Sequence, residues 1–266
     1  MKNLFVATMG ADFRKYAEAD NLGIELDYFC MAENLDGQKY EPCCSQVSRL
    51  AEELGFTGKD FVLHAPFNEL HPAAIDPGAL ELLKKRMTQA YGVCERFGIN
   101  KMVVHSGYMP YVYFKSWHTE RSVEFWTEFM KDKPDTFRIC IENVLEDEPY
   151  MMCDMIEKIR AAGGSNIGIC LDIGHANCMS DVDAAEWITV LGPYISHFHL
   201  HNNDGSGDLH QPFGDGTMDV ENLLKLAEEA CGEDVTYTIE VMKCGEAVEW
   251  LKDRNWMQMH PGGCSE

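Results

Sequence analysis

The stretch Ile167-Gly-Ile-Cys-Leu-Asp172-Ile-Gly-His175-Ala-Asn177 carries the pattern that decides the fold. An apolar run of strand length ends on a carboxylate, and a glycine turn bearing a histidine and an asparagine follows. The same pattern recurs along the chain. Other runs end Val-Leu-His64, Val-Val-His105, Cys-Ile-Glu142, His-Phe-His199 and Thr-Ile-Glu240. The full set of β-rich runs is Asn3–Thr8, Gly23–Phe29, Asp60–Ala65, Lys101–Ser106, Arg138–Asn143, Ile167–Asp172, Ile195–His201 and Thr236–Val241. Amphipathic stretches lie between them. Gly78–Phe97 places Leu80, Leu83, Met87, Ala90, Tyr91, Cys94 and Phe97 at helical spacing. Gln46–Leu54, Ser122–Met130, Tyr150–Ala161, Val182–Leu191, Val220–Ala230 and Glu246–Asp253 read the same way. Strands that each lead into a helix, over a chain of 266 residues, predict an α/β protein that is a single (β/α)8 TIM barrel. The expected organisation is one catalytic barrel over 1–257 and a flexible tail over 258–266. A doubly wound open sheet is the competing arrangement. Neither GxGxxG nor GxxxxGK occurs, so neither common phosphate-loop nucleotide fold is supported.

Composition narrows the partners. The 22 Lys and Arg face 44 Asp and Glu, a net charge of −22 that opposes binding to nucleic-acid backbones or anionic membranes. With 45% apolar and 11% aromatic residues the chain is that of a packed globular protein rather than an acidic disordered one. No run reaches the ~18–20 apolar residues that span a bilayer. Met1–Thr8 reads as a first strand rather than a secretory signal. The eleven cysteines form no paired CxxC spacing, and several fall inside apolar strands (Cys140, Cys170) or helices (Cys94, Cys231) as small core residues. Reduced thiols in the cytoplasm are the expectation.

The barrel places chemistry at the C-terminal ends of its strands. Strand period two puts Val62, Val103, Cys140 and Cys170 on the same face as the polar residue that follows each of them. The lumen is therefore expected to stay apolar up to a rim of imidazoles and carboxylates. Their crowding calls for a compensating charge, and a divalent cation is the simplest source. The loops after strands six and seven add His175, Asn177, Asp208 and His210. Mixed histidine and carboxylate donors suit Zn²⁺, Mn²⁺ or Fe²⁺ better than Mg²⁺ or Ca²⁺. A lone strand-end histidine is ordinarily a hydrogen-bonded anchor, and a lone carboxylate a helix cap. Here seven of the ten histidines lie at strand ends or in those two loops, and that coincidence points to a metal centre. His197, His199 and His201 share one parity, so spacing does not choose among them. His71, His118 and His260 read as incidental.

Taken in order, these residues resemble the xylose isomerase-like TIM-barrel superfamily, which holds sugar phosphate isomerases and epimerases and the endonuclease IV type of apurinic endonuclease. The resemblance runs from strand three to strand eight. In the ketose 3-epimerase branch one ion is held by two Glu, one Asp and one His, which match Glu142, Asp172, His199 and Glu240. His175 and Asn177 match the motif after the Asp. In the endonuclease IV branch nine residues hold three zinc ions. Their counterparts are His64, His105 and Glu142; Glu142, Asp172, His199 and Glu240; and His175, Asp208 and His210. The resemblance thus implies one to three transition-metal ions (Zn, Mn or Fe) and selects His199 on strand seven. Two departures stand out. The epimerases carry an arginine where this chain reads Asn202-Asn203-Asp204-Gly205-Ser206, which argues against a free ketohexose. The loop Pro66–Pro77 holds no Lys or Arg, unlike a DNA-reading loop.

The implied chemistry is an isomerase or epimerase acting on a carbohydrate-like small molecule. Glu142 and Glu240 would form the acid/base pair, with His175 bonding a substrate oxygen. Tyr108, Trp117, Asn143, Asn177 and His201 are the candidate substrate contacts. The aromatic loop Gly107–Trp117 would equally serve as an apolar lid or a contact in a homo-oligomer. The alternative is a di- or trinuclear phosphoesterase acting on a small phosphorylated substrate rather than on duplex DNA. A non-catalytic binding barrel would be expected to have lost several of these ligands.

Overall fold

The computed structural model describes residues 3–259. Eight parallel strands close in sequence order into a barrel. They are β1 (Leu4–Ala7), β2 (Gly23–Leu26), β3 (Phe61–His64), β4 (Lys101–His105), β5 (Arg138–Glu142), β6 (Ile167–Asp172), β7 (Ile195–Leu200) and β8 (Thr236–Ile239). The helices are α1 (Phe13–Ala19), α2 (Gly37–Leu54), α3 (Pro77–Phe97), α4 (Lys115–Met130), α5 (Tyr150–Ala161), α6 (Ile173–Met179), α7 (Ala184–Leu191), α8 (Val220–Ala230), α9 (Cys244–Asp253) and α10 (Trp256–Met259). The last helix takes in the first two positions of the expected tail; the rest, with His260, lies outside the described residues. No helix among the described residues is long and apolar enough to cross a membrane.

Where the chain departs from the spacing, a side chain intervenes. The second strand stops at Leu26 and Asp27–Phe29 turn into a 3-10 helix. Asp27 is pulled off the ladder because its carboxylate accepts from the Met9 N–H at 2.9 Å and the Thr8 hydroxyl at 3.1 Å. Ile173–Asn177, read as loop, winds into α6 because the Asp172 carboxylate caps the His175 N–H at 2.7 Å. The helices α2 and α4 each begin several residues before the apolar periodicity that announced them. The short α1 gave no periodic signal of its own.

The barrel has two cores. Outward-facing strand residues such as Leu63, Ile169 and Ile239 pack under the helices in one large cluster. Inside the lumen a small layer of Phe5, Val62, Val103, Cys140 and Cys170 fills the axis. Gly23 makes room for it: a Cβ there would sit 2.3 Å from the Phe5 ring. At the floor, the buried Lys101 ammonium donates to the Ser196 carbonyl at 3.1 Å and the Thr236 hydroxyl at 2.5 Å. Buried polar groups of this kind are tolerable only when bonded.

Leu63 has no solvent exposure, whereas Leu82 on α3 is 38% exposed. Leu63→Ala is therefore expected to lower stability by about 2–5 kcal/mol and Leu82→Ala by less than ~1 kcal/mol. The midpoints of urea unfolding curves measure both.

Candidate functional site

The apolar layer of the lumen gives way to the polar rim that strand spacing anticipates. His64, His105, Glu142 and Asp172 end β3 to β6, His199 lies on β7, and Glu240 directly follows β8. His64, Glu142, Asp172, His199 and Glu240 are all buried. The cleft above them has a volume of about 230 Å³ and is lined by His64, Glu142 and Glu240 together with Met9, Asp27, Cys30, Phe67, His105, His175, Asp208 and His210. No lysine or arginine is among these lining residues.

Three groups of donor atoms converge there. In the first, His199 Nδ1 lies 3.2 Å from Glu142 Oε1, 3.4 Å from Glu240 Oε1 and 3.9 Å from Asp172 Oδ2. His199 Nδ1, Glu142 Oε2 and Asp172 Oδ2 are buried without a hydrogen-bond partner. In the second, His64 Nε2 and His105 Nε2 each lie 3.4 Å from Glu142 Oε2. In the third, Asp208 Oδ2 lies 3.1 Å from His210 Nε2 and 3.5 Å from His175 Nε2. Buried polar atoms left unbonded are costly, and these groups could hold a shared metal ion.

The far nitrogens of the rings agree with that reading. His64 Nδ1–H donates to the Ala65 carbonyl at 3.0 Å, His175 Nδ1–H to the Asn143 carbonyl at 2.9 Å, and His210 Nδ1–H to the Glu240 carbonyl at 2.8 Å. Each bond commits the Nδ1–H, so Nε2 is the nitrogen that could ligate an ion once its own proton is displaced. For His199 the roles reverse: Nε2–H donates to Glu25 Oε1 at 3.1 Å and Nδ1, which makes no hydrogen bond, faces the carboxylates.

Glu25 is the residue that strand ends do not reveal. It lies in the middle of β2, fully buried, and accepts from both His199 and His197. A charged residue on the inward parity of an otherwise apolar strand was the available signal. His197 sits one layer below the rim. It is saturated by Thr236 Oγ1 at 2.6 Å, Glu25 Oε2 at 3.1 Å and Thr238 Oγ1 at 2.9 Å. His201 sits one layer above His199, its Nε2 3.1 Å from Asp172 Oδ1 and 3.5 Å from Asp208 Oδ1.

Four of the candidate substrate contacts are held by bonds or packing of their own. Tyr108 is buried against His118, with ring centroids 5.2 Å apart. Trp117 donates from Nε1 to the Ala73 carbonyl at 2.9 Å. The Asn143 amide ties β5 to β6, donating to the Asp172 carbonyl at 3.0 Å and accepting the Asp172 N–H at 2.8 Å. Asn177 donates to Asn203 Oδ1 at 2.6 Å. None of the four lines the cleft. His71 donates from Nδ1–H to the Gly107 carbonyl at 3.0 Å and ties two loops together, while His118 lies within α4, its Nε2 3.3 Å from the Ser122 hydroxyl.

The charges are strongly coupled. Burial pushes Glu142 up, but the His199 charge and the His175 imidazole beside it outweigh that and hold its carboxyl well below the usual range. Burial likewise opposes the lowering of Asp172, which His175 and His201 bring to about 2. Glu240 goes the other way: burial, reinforced by Glu25 and Glu142 against the pull of His199, lifts it to about 7. Against the cost of burial, Glu142 raises His64 to about 9 and Asp208 raises His210 to about 9. Burial drives His105 down to about 3.

A divalent ion entering these groups must displace the protons held by His64 and His210. Both are protonated below about pH 9, so metal affinity is expected to rise as pH increases from 6 to 9. Each displaced proton contributes up to ~10-fold per pH unit. Titration calorimetry in buffers of different ionisation enthalpy should register net proton release at pH 7.

Comparison with known proteins places the chain. A family model described as a xylose isomerase-like TIM barrel matches residues 13–258. The chain is 29% identical over 201 residues to the uncharacterized protein MJ1311 of Methanocaldococcus jannaschii, covering 71% of this chain and 67% of that one. A solved D-tagatose 3-epimerase-like protein superimposes with a TM-score of 0.75 at 23% identity, over 97% of this chain and 98% of the other. The TTHB071 protein from Thermus thermophilus, soaked with zinc chloride, gives 0.73 at 22% identity, over 94% and 97%. With the barrel closed in sequence order and its polar rim in place, the chain belongs to the xylose isomerase-like TIM barrel family.

Proposed function

We propose that the chain is a metal-dependent isomerase or epimerase of a sugar, sugar phosphate or polyol. One observation carries this reading: the bare His199 Nδ1, buried among the carboxylates of Glu142, Asp172 and Glu240. One His and three carboxylates fit a single Zn²⁺, Mn²⁺ or Fe²⁺ ion. When bound there, the ion polarises a substrate carbonyl and its neighbouring hydroxyl, so the adjacent C–H becomes more acidic.

The protein groups supply the proton transfers. Glu142 and Glu240 each present an Oε1 to His199 Nδ1, at 3.2 Å and 3.4 Å, so the two carboxylates flank the same point at the floor of the cleft. One removes the proton next to the carbonyl, and the other returns a proton to the opposite face in an epimerase or to the neighbouring oxygen in an isomerase. His175 has its Nδ1–H committed to the Asn143 carbonyl, so its Nε2 accepts from a substrate hydroxyl or ligates an ion. The likeness to an epimerase-like structure supports this class through the fold.

A second reading is favoured by the number of donor groups. Three groups at one rim would suit a di- or trinuclear phosphoesterase acting on a small phosphorylated substrate. It ranks second because the cleft offers a phosphate no lysine or arginine of its own.

Purified protein loaded with Zn²⁺ or Mn²⁺ should exchange the substrate hydrogen next to a carbonyl with solvent deuterium, in a screen of ketoses, inososes and phosphodiesters. Glu142→Gln and Glu240→Gln should each lower that exchange by at least ~100-fold. Hydrolysis of a phosphodiester without any carbon-bound exchange would shift the assignment to the second reading. A metal content below about one ion per chain, with no activation by added metal, would overturn both.

A further inference from the structure

We propose that His201 is itself a metal ligand, the fourth donor of a second ion position formed with His175, Asp208 and His210. The inference rests on the metal dependence proposed above and adds a residue to it. His201 has no solvent exposure, and its Nε2 makes no hydrogen bond. That nitrogen points at two carboxylates, Asp172 Oδ1 at 3.1 Å and Asp208 Oδ1 at 3.5 Å. The donor atoms of His201, Asp208 and His210 all lie within 4.8 Å of one another.

The surroundings aim the ring. Its neighbour His210 stacks on it with centroids 4.1 Å apart at 29°. On the α6 side, Gly174 presents bare backbone: a Cβ there would stand 1.9 Å from the His201 ring. A side chain at position 174 would thus push the imidazole out of line. The other ring nitrogen lies 3.4 Å from the Asn202 carbonyl, so Nε2 is the one left for an ion.

The set is three imidazoles and one carboxylate, a four-coordinate donor set suited to Zn²⁺ and its neighbours. His175, Asp208 and His210 alone would leave one such position open, and His201 fills it from just beyond β7. Asp172 then lies between the two ion positions, with Oδ2 toward His199 and Oδ1 toward His201.

The alternative role for His201 is to position Asp172 without touching metal. Two measurements separate them. Equilibrium dialysis against graded free Zn²⁺, with bound metal counted per chain, should give two or more ions for the wild type. His201→Asn should weaken one of them by more than ~100-fold, beyond what loss of an outer-shell partner produces, and leave the ion at His199 in place. In wild-type protein carrying ¹⁵N-histidine and loaded with ¹¹³Cd²⁺, the Nε2 of His201 should show direct coupling to cadmium. This second measurement needs no variant, so it decides even if His201→Asn fails to fold. Metal bound at His199 with no cadmium coupling at His201, or with both ions retained in His201→Asn, overturns the inference and leaves the proposed function standing. No metal uptake by the wild type overturns the function on which it rests.

Discussion

The hydrogen bond from His199 Nε2 to Glu25 Oε1, at 3.1 Å, is the interaction on which the candidate centre depends. It leaves the opposite nitrogen bare among three carboxylates. An acid buried at this depth needs compensation of its own. Burial pushes Glu25 up, but the His199 charge and the bonds from His197 and His199 hold it well below the usual carboxylate range. The column continues downward: the Thr238 hydroxyl donates to Glu25, Thr236 bonds His197 Nδ1, and Lys101 donates to Thr236. The axis of the barrel is thus a connected polar chain from floor to rim beside the small apolar layer. A network of this kind is stable only when each member is satisfied. The atoms left unsatisfied, His199 Nδ1, Glu142 Oε2, Asp172 Oδ2 and His201 Nε2, are all at its upper end.

Barrel register brings these residues side by side. His105 pairs with Glu142 across β4 and β5. Between β6 and β7 the ladder shifts by one residue at Ile169 and Cys170, which sets Asp172 opposite His199. Had the register of Ile169 with Ile195 continued, Asp172 would face Phe198, whose ring packs outside the lumen against Tyr237. The shift also exchanges the inward residue of β7. Below it Ser196 fills the space beside Gly168, where a Cβ would lie 2.2 Å from the Ser196 hydroxyl; above it His197, His199 and His201 face the axis. An irregularity of one residue therefore positions a ligand, a use to which bulges near functional sites are often put.

The sequence revealed the rim more fully than its supports. Strands three to eight were legible because period two and a terminal polar residue coincide in each. Glu25 was not, because it interrupts its strand in the middle, where no end marks it. The choice among His197, His199 and His201 was not legible from parity either, since all three face inward. What separates them is the partner of each second nitrogen, and Thr236, Thr238 and Glu25 come from distant segments. The aromatic loop shows a related limit. Residue type supplied Tyr108 and Trp117 as sugar-binding surfaces; in the fold Tyr108 packs on His118 and Trp117 donates to the Ala73 carbonyl, contacts that spacing does not announce. The capping bond that converts Ile173–Asn177 from loop to helix uses the same Asp172 carboxylate that faces the centre, so local and functional demands fall on one side chain.

The net charge of −22 divides into parts with different consequences. Glu25, Glu142, Asp172 and Glu240 are buried along the axis, where their charge is felt by the imidazoles around them rather than by distant partners. Glu146 is buried too, but it is compensated locally by hydrogen bonds from the Ser106 hydroxyl and the Val144 and Leu145 N–H groups. Asp208 is at the mouth and belongs with the ligands. Most of the other carboxylates among the described residues are on the solvated surface, screened beyond a Debye length of ~8 Å at physiological salt. A ligand approaching the cleft therefore meets an acidic outer field with no lysine or arginine at the lining to reverse it. Whatever attraction it feels must arise inside, from the imidazoles of the rim and from any ion that they would hold. Uncharged polyhydroxy compounds would meet no such repulsion on the way in and would gain chelation from an ion held at the rim. A phosphorylated one must overcome the outer field first, and two adjacent ion positions are what would make that approach favourable.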